Sequence, residues 1–403
     1  PEVTFPSKET IVVKRFDKFI EKNEVDISNH NFLNIDVQGY ELEVLKGMGD
    51  ELNKIQLVIA EVNRDEMYEG CPMIEDIDSY LEGFGFKRLT VHWQSESWGD
   101  AVYFKAGENG MALYDSLLEN CKQDFTLHYL CMDDETYDAM NGLGLRSVNL
   151  VKMQEIEETE DFKTLKENTV YDPSGDNTYC WALGSFFSEY LVSNLNLKDV
   201  LYVDSDICFY NSIDKMYETI SKKSIAIMLH RHNEIGAYVG AYNVGVIYFK
   251  NNEPGYRCLR WWRDCVMNPN NEWAEKYGTC GDQKYLEAFG SLFGKENICI
   301  IDEEIGHGAP WNMGIYSYLD GRIGGKISWT PDQKLDLGIE NKTREQDMYF
   351  VHFAQFTPDY ENQRYRFDRS GAWCQCGIYE NPHVTNYYND YFLRTQKHKD
   401  LAQ

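Results

Sequence analysis

Residues 200–209 read Val-Leu-Tyr-Val-Asp-Ser-Asp-Ile-Cys-Phe, an apolar run that stops on two aspartates one residue apart. A strand apolar at every position from Val200 to Val203 predicts burial on both faces, as in the middle of a mostly parallel sheet. In open α/β sheets the ligand sits beyond the carboxyl ends of the strands. Asp204 and Asp206 therefore arrive where a ligand is expected. Two hard anionic donors side by side suit Mg²⁺ or Mn²⁺, and such a cation suits a diphosphate.

The pattern alone is weak. It recurs at Asp76-Ile77-Asp78, where Ile74, Ile77, Tyr80, Leu81 and Phe84 keep helical spacing. There the aspartates fall on the polar face of an amphipathic helix and need no cation. In so acidic a chain a bare D-x-D arises by chance, and context has to carry the case for Asp204 and Asp206.

The chain has 403 residues, enough for two domains with full cores, and 43% hydrophobic and 14% aromatic residues mark it as globular. A formal charge of −27 excludes a general nucleic-acid binder and simple docking on anionic lipid. A nucleotide ligand would then need a local cation, while most of the excess acid reads as solubilising surface. No apolar run has the length of a membrane span, and no signal peptide opens the sequence. The 11 cysteines are scattered, several in apolar segments (Cys131, Cys208, Cys258), as expected of reduced thiols in a cytoplasmic protein. Cys374-Gln375-Cys376 is too close and too isolated for a zinc site and reads as structural.

Over the first hundred residues strands at Ile11–Lys14, Phe32–Ile35 and Ile55–Ile59 (ending at Glu61) alternate with helices. The helices are expected at Phe16–Lys22, through Leu42 and Leu45 to a closing Gly47, and around Ile77. Strands at Leu89–Trp93 and Ala101–Phe104 follow, which predicts a doubly wound α/β sheet closed by an antiparallel hairpin. The segment Asn34-Ile35-Asp36-Val37-Gln38-Gly39-Tyr40-Glu41-Leu42-Glu43-Val44-Leu45-Lys46-Gly47, with Ile59-Ala60-Glu61-Val62 after it, resembles the FkbM-type methyltransferases over about residues 1–105. That resemblance implies a Rossmann-like sheet using S-adenosylmethionine, commonly for sugar O-methylation. The family holds its cofactor with a glycine-rich turn and an acid that are absent here; no glycine precedes Gly39. Residues 1–106 are therefore expected to be a partial domain lacking the cofactor-binding half, with S-adenosylmethionine not bound. Asp36 and Glu61 read either as a remnant of the acceptor or cofactor wall or as plain strand ends.

Lys105-Ala106-Gly107-Glu108-Asn109-Gly110 is a polar joint. Beyond it strands at Phe125–Cys131 and Val148–Val151 alternate with helices opening at Asp133-Asp134-Glu135 and Glu155, and the helix Tyr179–Leu195 leads into the Asp204 strand. This resembles the nucleotide-binding half of an α/β fold without G-x-G-x-x-G, which counts against a dinucleotide dehydrogenase. A helix at Ile213–Ile220, a strand at Ile225–Leu229 and a strand in Gly240–Phe249, opened by Asn and Gly, follow.

Five motifs then occur in order: Asp204-Ser205-Asp206, Asn243-Val244-Gly245-Val246, Gly281-Asp282-Gln283-Lys284-Tyr285-Leu286, Ala309-Pro310-Trp311-Asn312 and Val351-His352-Phe353. Over about residues 111–360 they resemble GT-A glycosyltransferases, family 8 and its bacterial relatives. The resemblance implies a GT-A domain at 111–366, with a mixed, mostly parallel sheet, followed by a helical extension at 367–403. It makes Asp204, Asp206 and His352 the ligands of Mn²⁺ (or Mg²⁺), although a lone His on an apolar strand also reads as a hydrogen-bonded core residue. It places Asp282 and Gln283 against the donor sugar near the reacting carbon, where Asp282 could equally be an N-cap of a helix Gln283–Phe289. Ser205, Asn243, Gly245, His307, Trp311 and Asn312 become donor or substrate contacts. Gly245 would let the backbone approach the sugar and the Asn243 amide would bond a hydroxyl, while packing explains Gly245 equally well. Where the family often follows its His with Gly and Lys that grip the diphosphate, this chain has Ala354-Gln355-Phe356. Tyr256–Val266, with Trp261, Trp262 and Arg263, reads as a core helix before an acceptor platform. His383, Tyr387, Tyr388 and Tyr391 lie in a further helix, available for packing or acceptor contact.

The expected function is metal-dependent transfer of a sugar from a nucleotide-diphosphate donor to a glycan or glycoconjugate in surface-polysaccharide synthesis, with retention at the anomeric carbon. The alternatives are S-adenosylmethionine-dependent sugar O-methylation and a non-catalytic glycan- or nucleotide-binding scaffold.

Overall fold

The computed structural model describes residues 13–23, 25, 32–55, 57–68, 70–82, 84, 86–105, 108–131, 134–157, 159–168, 178–231, 239–268, 271–277, 281–330, 342–360, 362–367 and 381–398. Ile11 and Val12 of the first expected strand, and Cys374-Gln375-Cys376, lie outside these. The chain forms two compact units, Pro1–Ala106 with Asp359–Glu361, and Gly107–Pro358 with Asn362–Gln403.

The first unit runs α1 (Phe16–Asn23), β1 (Phe32–Ile35), α2 (Glu41–Met48), β2 (Leu57–Asn63), α3 (Ile74–Glu82), β3 (Phe86–Trp93) and β4 (Trp98–Lys105). Its sheet has the order β1-β2-β4-β3. Only β1 and β2 are parallel; β4 pairs antiparallel with both β2 and β3, the expected closing hairpin. Leu45, Leu52, Val58, Ile77, Leu81 and Phe86 fill the core. Two sequence expectations are corrected here. Gly47 lies inside α2, and the helix is closed by Gly49 with φ +55, a left-handed conformation glycine adopts without strain. Strand β2 continues to Asn63, so Glu61 lies within it. Asp76 and Asp78 have structural partners: Asp76 Oδ2 accepts from the Met73 amide at 2.9 Å and Asp78 Oδ1 from the Tyr103 hydroxyl at 2.9 Å.

The second unit opens with α4 (Glu108–Asn120), β5 (Leu127–Cys131), α5 (Asp134–Gly142), β6 (Val148–Lys152), α6 (Met153–Glu157), α7 (Glu160–Asn168) and α8 (Thr178–Asn194). Then come β7 (Asp199–Val203), β8 (Ile207–Phe209), α9 (Ile213–Ile220), β9 (Ile225–Leu229), β10 (Tyr242–Lys250) and α10 (Glu253–Met267). They are followed by α11 (Glu272–Tyr277), α12 (Phe289–Phe293), β11 (Ile298–Ile300), β12 (Gly306–Gly308), β13 (Ser317–Tyr318), β14 (Lys326–Trp329), β15 (Arg344–His352) and α13 (Pro382–His398).

One sheet has the order β11-β9-β10-β7. Strand β10 runs antiparallel to both β7 and β9, and only the β11–β9 pair is parallel. The sheet expected to be mostly parallel is thus mostly antiparallel, because β10 returns between its neighbours. A second has the order β12-β15-β14-β13, with β8 joined antiparallel to β15. Strands β5 and β6 form a parallel pair of their own. The 200–209 stretch is thus neither one strand nor a doubly covered central one. Strand β7 is half-buried at the end of its sheet's order, and the chain leaves it at Asp204 to enter the other sheet at Ile207. An apolar run cannot by itself distinguish these placements, because strand order depends on distant partners. The crossing is pinned on both sides: the Asp204 amide donates to Gly245 O on β10 at 2.9 Å, and the Phe353 amide donates to Asp206 O at 2.8 Å. Ile207, Phe209, Met216, Ala226, Met228, Val246, Tyr248 and Phe350 fill the core beneath.

Helix α13 buries Tyr387, Tyr388 and Tyr391. Tyr391 stacks on Phe353 with ring centroids 3.9 Å apart, and the Gly324 amide donates to the Tyr387 hydroxyl at 2.8 Å. These tyrosines pack. The described cysteines, including Cys131, Cys208 and Cys258, are free thiols. Among the described residues no helix is long and apolar enough to cross a membrane.

Candidate metal centre

Because β8 pairs with the end of β15, with Ile207 opposite His352, the two aspartates of the crossing meet the histidine. Single ligand atoms from Asp204, Asp206 and His352 all lie within 4.8 Å of one another. His352 Nε2 is 3.0 Å from Asp206 Oδ1 and 3.5 Å from Asp204 Oδ2. The imidazole is buried and its Nδ1 has no hydrogen-bond partner. Burial alone would lower the His352 pKa; the charge and hydrogen bond of Asp206, aided by Asp204, outweigh it and raise it. Burial, reinforced by Asp206, raises Asp204 against the opposing pull of His352 and Tyr202. Two carboxylates and an imidazole crowded this closely are a donor set that a divalent cation would satisfy. The mixed oxygen and nitrogen donors fit Mn²⁺ better than Mg²⁺, which favours oxygen.

Gly245 makes the imidazole's seat. A Cβ on Gly245 would stand 2.7 Å from His352 Nδ1 and 2.9 Å from Asn243 Oδ1, so packing against the histidine requires glycine here. Asn243 sits at an irregularity between β10 and β9. Its Oδ1 accepts from the Gly245 amide at 2.9 Å and its Nδ2 lies 3.2 Å from His230 Nε2, so both ends of the amide are held within the protein. Asn243 thereby supports the glycine turn. Asn312 behaves alike: fully buried, it accepts from the Ala309 amide at 2.8 Å and donates to His230 O at 2.9 Å. His307 is buried below the site, its ring stacked on Phe350 and its Nε2 2.9 Å from Asp302 Oδ1. Trp311 is beside the triad, edge-on to His352 and to His230 with centroids 5.5 Å apart in each case. Ser205 is exposed between the two aspartates.

Asp282 is buried; burial and the charge of Asp204 lift its pKa to about 8. Instead of one helix from Gln283 to Phe289, a 3₁₀ turn at Lys284–Ala288 precedes α12, closed by the Leu286 amide on Gln283 O at 3.1 Å. The cap of that turn is Gln283, which makes no side-chain cap bond. The N-cap role considered for Asp282 is therefore not the one it occupies. Gln355 has φ +60, a conformation L-residues rarely adopt.

Two supporting groups escaped the sequence reading. Tyr202 donates its hydroxyl to Asp204 Oδ1 at 2.7 Å. His230, at the end of β9, contacts Asn243, Asn312 and Trp311. The spacing of Tyr202, on β7 two residues before Asp204, was the available signal.

Over 230 residues the chain is 33% identical to "Uncharacterized protein YfnF" of Bacillus subtilis (strain 168), a match spanning 53% of this chain and 71% of that protein. The chain belongs to the YfnF family. "Uncharacterized protein YfnD" of the same organism is also similar, 25% identical over 255 residues, 61% of this chain and 73% of that one. The family model "Methyltransferase FkbM domain" matches residues 5–88. Among solved structures, mouse xyloside xylosyltransferase 1 in its apo form is similar at 14% identity and TM-score 0.36, covering 51% of this chain and 84% of that chain.

Proposed function

We propose that the second unit is a GT-A-type glycosyltransferase, similar to family 8, that moves a sugar from a nucleotide-diphosphate donor onto a glycan or glycoconjugate, in surface-polysaccharide assembly. The observation that carries this reading is the convergence of Asp204 and Asp206, on the crossing between two sheets, with His352 of β15 into one ligand set. Asp204 and Asp206 would hold the cation through carboxylate oxygens and His352 through Nε2. A bound Mn²⁺ would supply Lewis acidity to the diphosphate and offset the negative charge of the leaving group. Asp282, close enough to Asp204 for the two carboxyls to interact, would in its ionised form stabilise positive charge at the reacting carbon, with Gln283 beside it. Trp311 would offer its indole to the donor sugar, and the likeness to family 8 favours retention.

The match at 5–88 supports a methyltransferase origin for the first unit. Sugar methylation and sugar transfer act on the same class of product, so the two units fit one pathway. Residues 1–38 include no glycine, so these residues alone offer no glycine-rich cofactor turn.

The test is turnover of a panel of nucleotide sugars with Mn²⁺ or with chelator. Turnover is expected to need Mn²⁺ and to fall to background in Asp204→Ala/Asp206→Ala. A double variant working at the wild-type rate would sink the metal reading.

A further inference from the structure

Asp204 has two carboxylate oxygens, and the fold gives them different work. Oδ1 accepts from the Tyr202 hydroxyl at 2.7 Å. That leaves Oδ2 turned towards His352 Nε2, 3.5 Å away. Without the tyrosine, the carboxylate would be free to rotate about its Cβ–Cγ bond and present either oxygen.

The tyrosine is itself held. On β7 it is paired with Ile247 of β10, which fixes its backbone. Its ring lies against α8 at Gly184, where a Cβ would stand 3.0 Å from Cζ and 3.1 Å from Cε2 and the hydroxyl oxygen. Glycine is a poor choice inside a helix, second only to proline. Gly184 stands in the interior of a 17-residue helix, and the room its missing Cβ leaves is filled by this ring.

We propose that Tyr202 is a positioning residue for the candidate metal centre: seated on Gly184, it occupies Asp204 Oδ1 so that Oδ2 is presented to the cation. The inference rests on the metal reading given above. Hydrogen bonds to ligating carboxylates orient them, and losing such a bond typically weakens metal binding by about 10–100-fold.

The test is Mn²⁺ titration of the whole chain without donor, followed by the electron paramagnetic resonance signal of free Mn²⁺, for wild type, Tyr202→Phe, Gly184→Ala and the double variant. Tyr202→Phe keeps the ring and the packing; it is expected to retain the wild-type circular dichroism while binding Mn²⁺ about 10–100-fold more weakly. Saturating Mn²⁺ should then restore most of its donor turnover, raising the apparent KM for the cation more than it lowers kcat. Gly184→Ala should weaken binding too, and in the Tyr202→Phe background should add little further loss, because both act through the same hydroxyl. Wild-type Mn²⁺ affinity in Tyr202→Phe overturns the positioning role, and fully additive losses overturn the seat at Gly184. Failure of the wild-type chain to bind Mn²⁺ at all would instead count against the metal reading.

Discussion

Asp282 keeps its proton at neutral pH in the cation-free protein, because burial first, and Asp204 second, lift its pKa to about 8. In the unfolded chain the same carboxyl ionises near ~4. Between those two values the folded state holds a proton that the unfolded state has lost. The sign follows: the contribution is fully present below the unfolded value and disappears as pH rises through the folded one. Asp282→Asn cannot ionise and should escape this loss. In chelator, its denaturant midpoint is expected to gain on wild type between about pH 5 and about pH 8, with a slope difference of at most ~1.4 kcal/mol per pH unit. Parallel pH profiles for the two proteins would show that Asp282 ionises normally.

At the scale of elements, the end of β9 is tied to the second sheet by one buried carboxylate. Asp302 accepts from the Leu229 amide at 2.7 Å, from His307 Nε2 at 2.9 Å and from the Arg231 guanidinium. Burial pushes its pKa up, but Arg231 and His307 together prevail and hold it at about 2. Arg231 has φ +55, a conformation L-residues rarely adopt, and its guanidinium lies 3.7 Å above the Trp329 ring while donating to Tyr316 and Ile305 O. Removing the carboxylate would strand a buried cation, so Asp302→Ala should cost about 3–5 kcal/mol. Replacing both partners by apolar groups, Arg231→Met/Asp302→Leu, should cost less than the single change, since no charge is then left unpaired. Urea unfolding of the three proteins measures this, and a single variant within ~1 kcal/mol of wild type would remove Asp302 as the tie.

Local pattern carried the elements and distance carried the errors. Helix α9 and strand β9 fall at the residues that periodicity and burial pattern assign, 213–220 and 225–229. The placing of β7 depended on β10 and β15, whose pairing no local pattern encodes. Asn243 and Asn312 looked like ligand contacts because an amide beside glycine or tryptophan is what sugar sites use. Both amides also bond backbone or His230, contacts that only the folded chain reveals. His352 was recognisable only through the order of motifs around it. The two units, each with its own apolar core, extend this to the whole molecule. Separate cores predict two unfolding transitions, and a ligand moves only the one whose native state binds it. Mn²⁺ with a nucleoside diphosphate at about a hundredfold excess over Kd should stabilise the second unit by ~2.7 kcal/mol. For a unit of this size that is a rise of several degrees. Asp302→Ala identifies that transition by lowering it alone, and S-adenosylmethionine should leave both where they are. Calorimetric scans with each ligand decide the matter: Mn²⁺ moving the transition that Asp302→Ala leaves untouched would place the cation in the wrong unit, and a shift with S-adenosylmethionine would restore cofactor binding to the first.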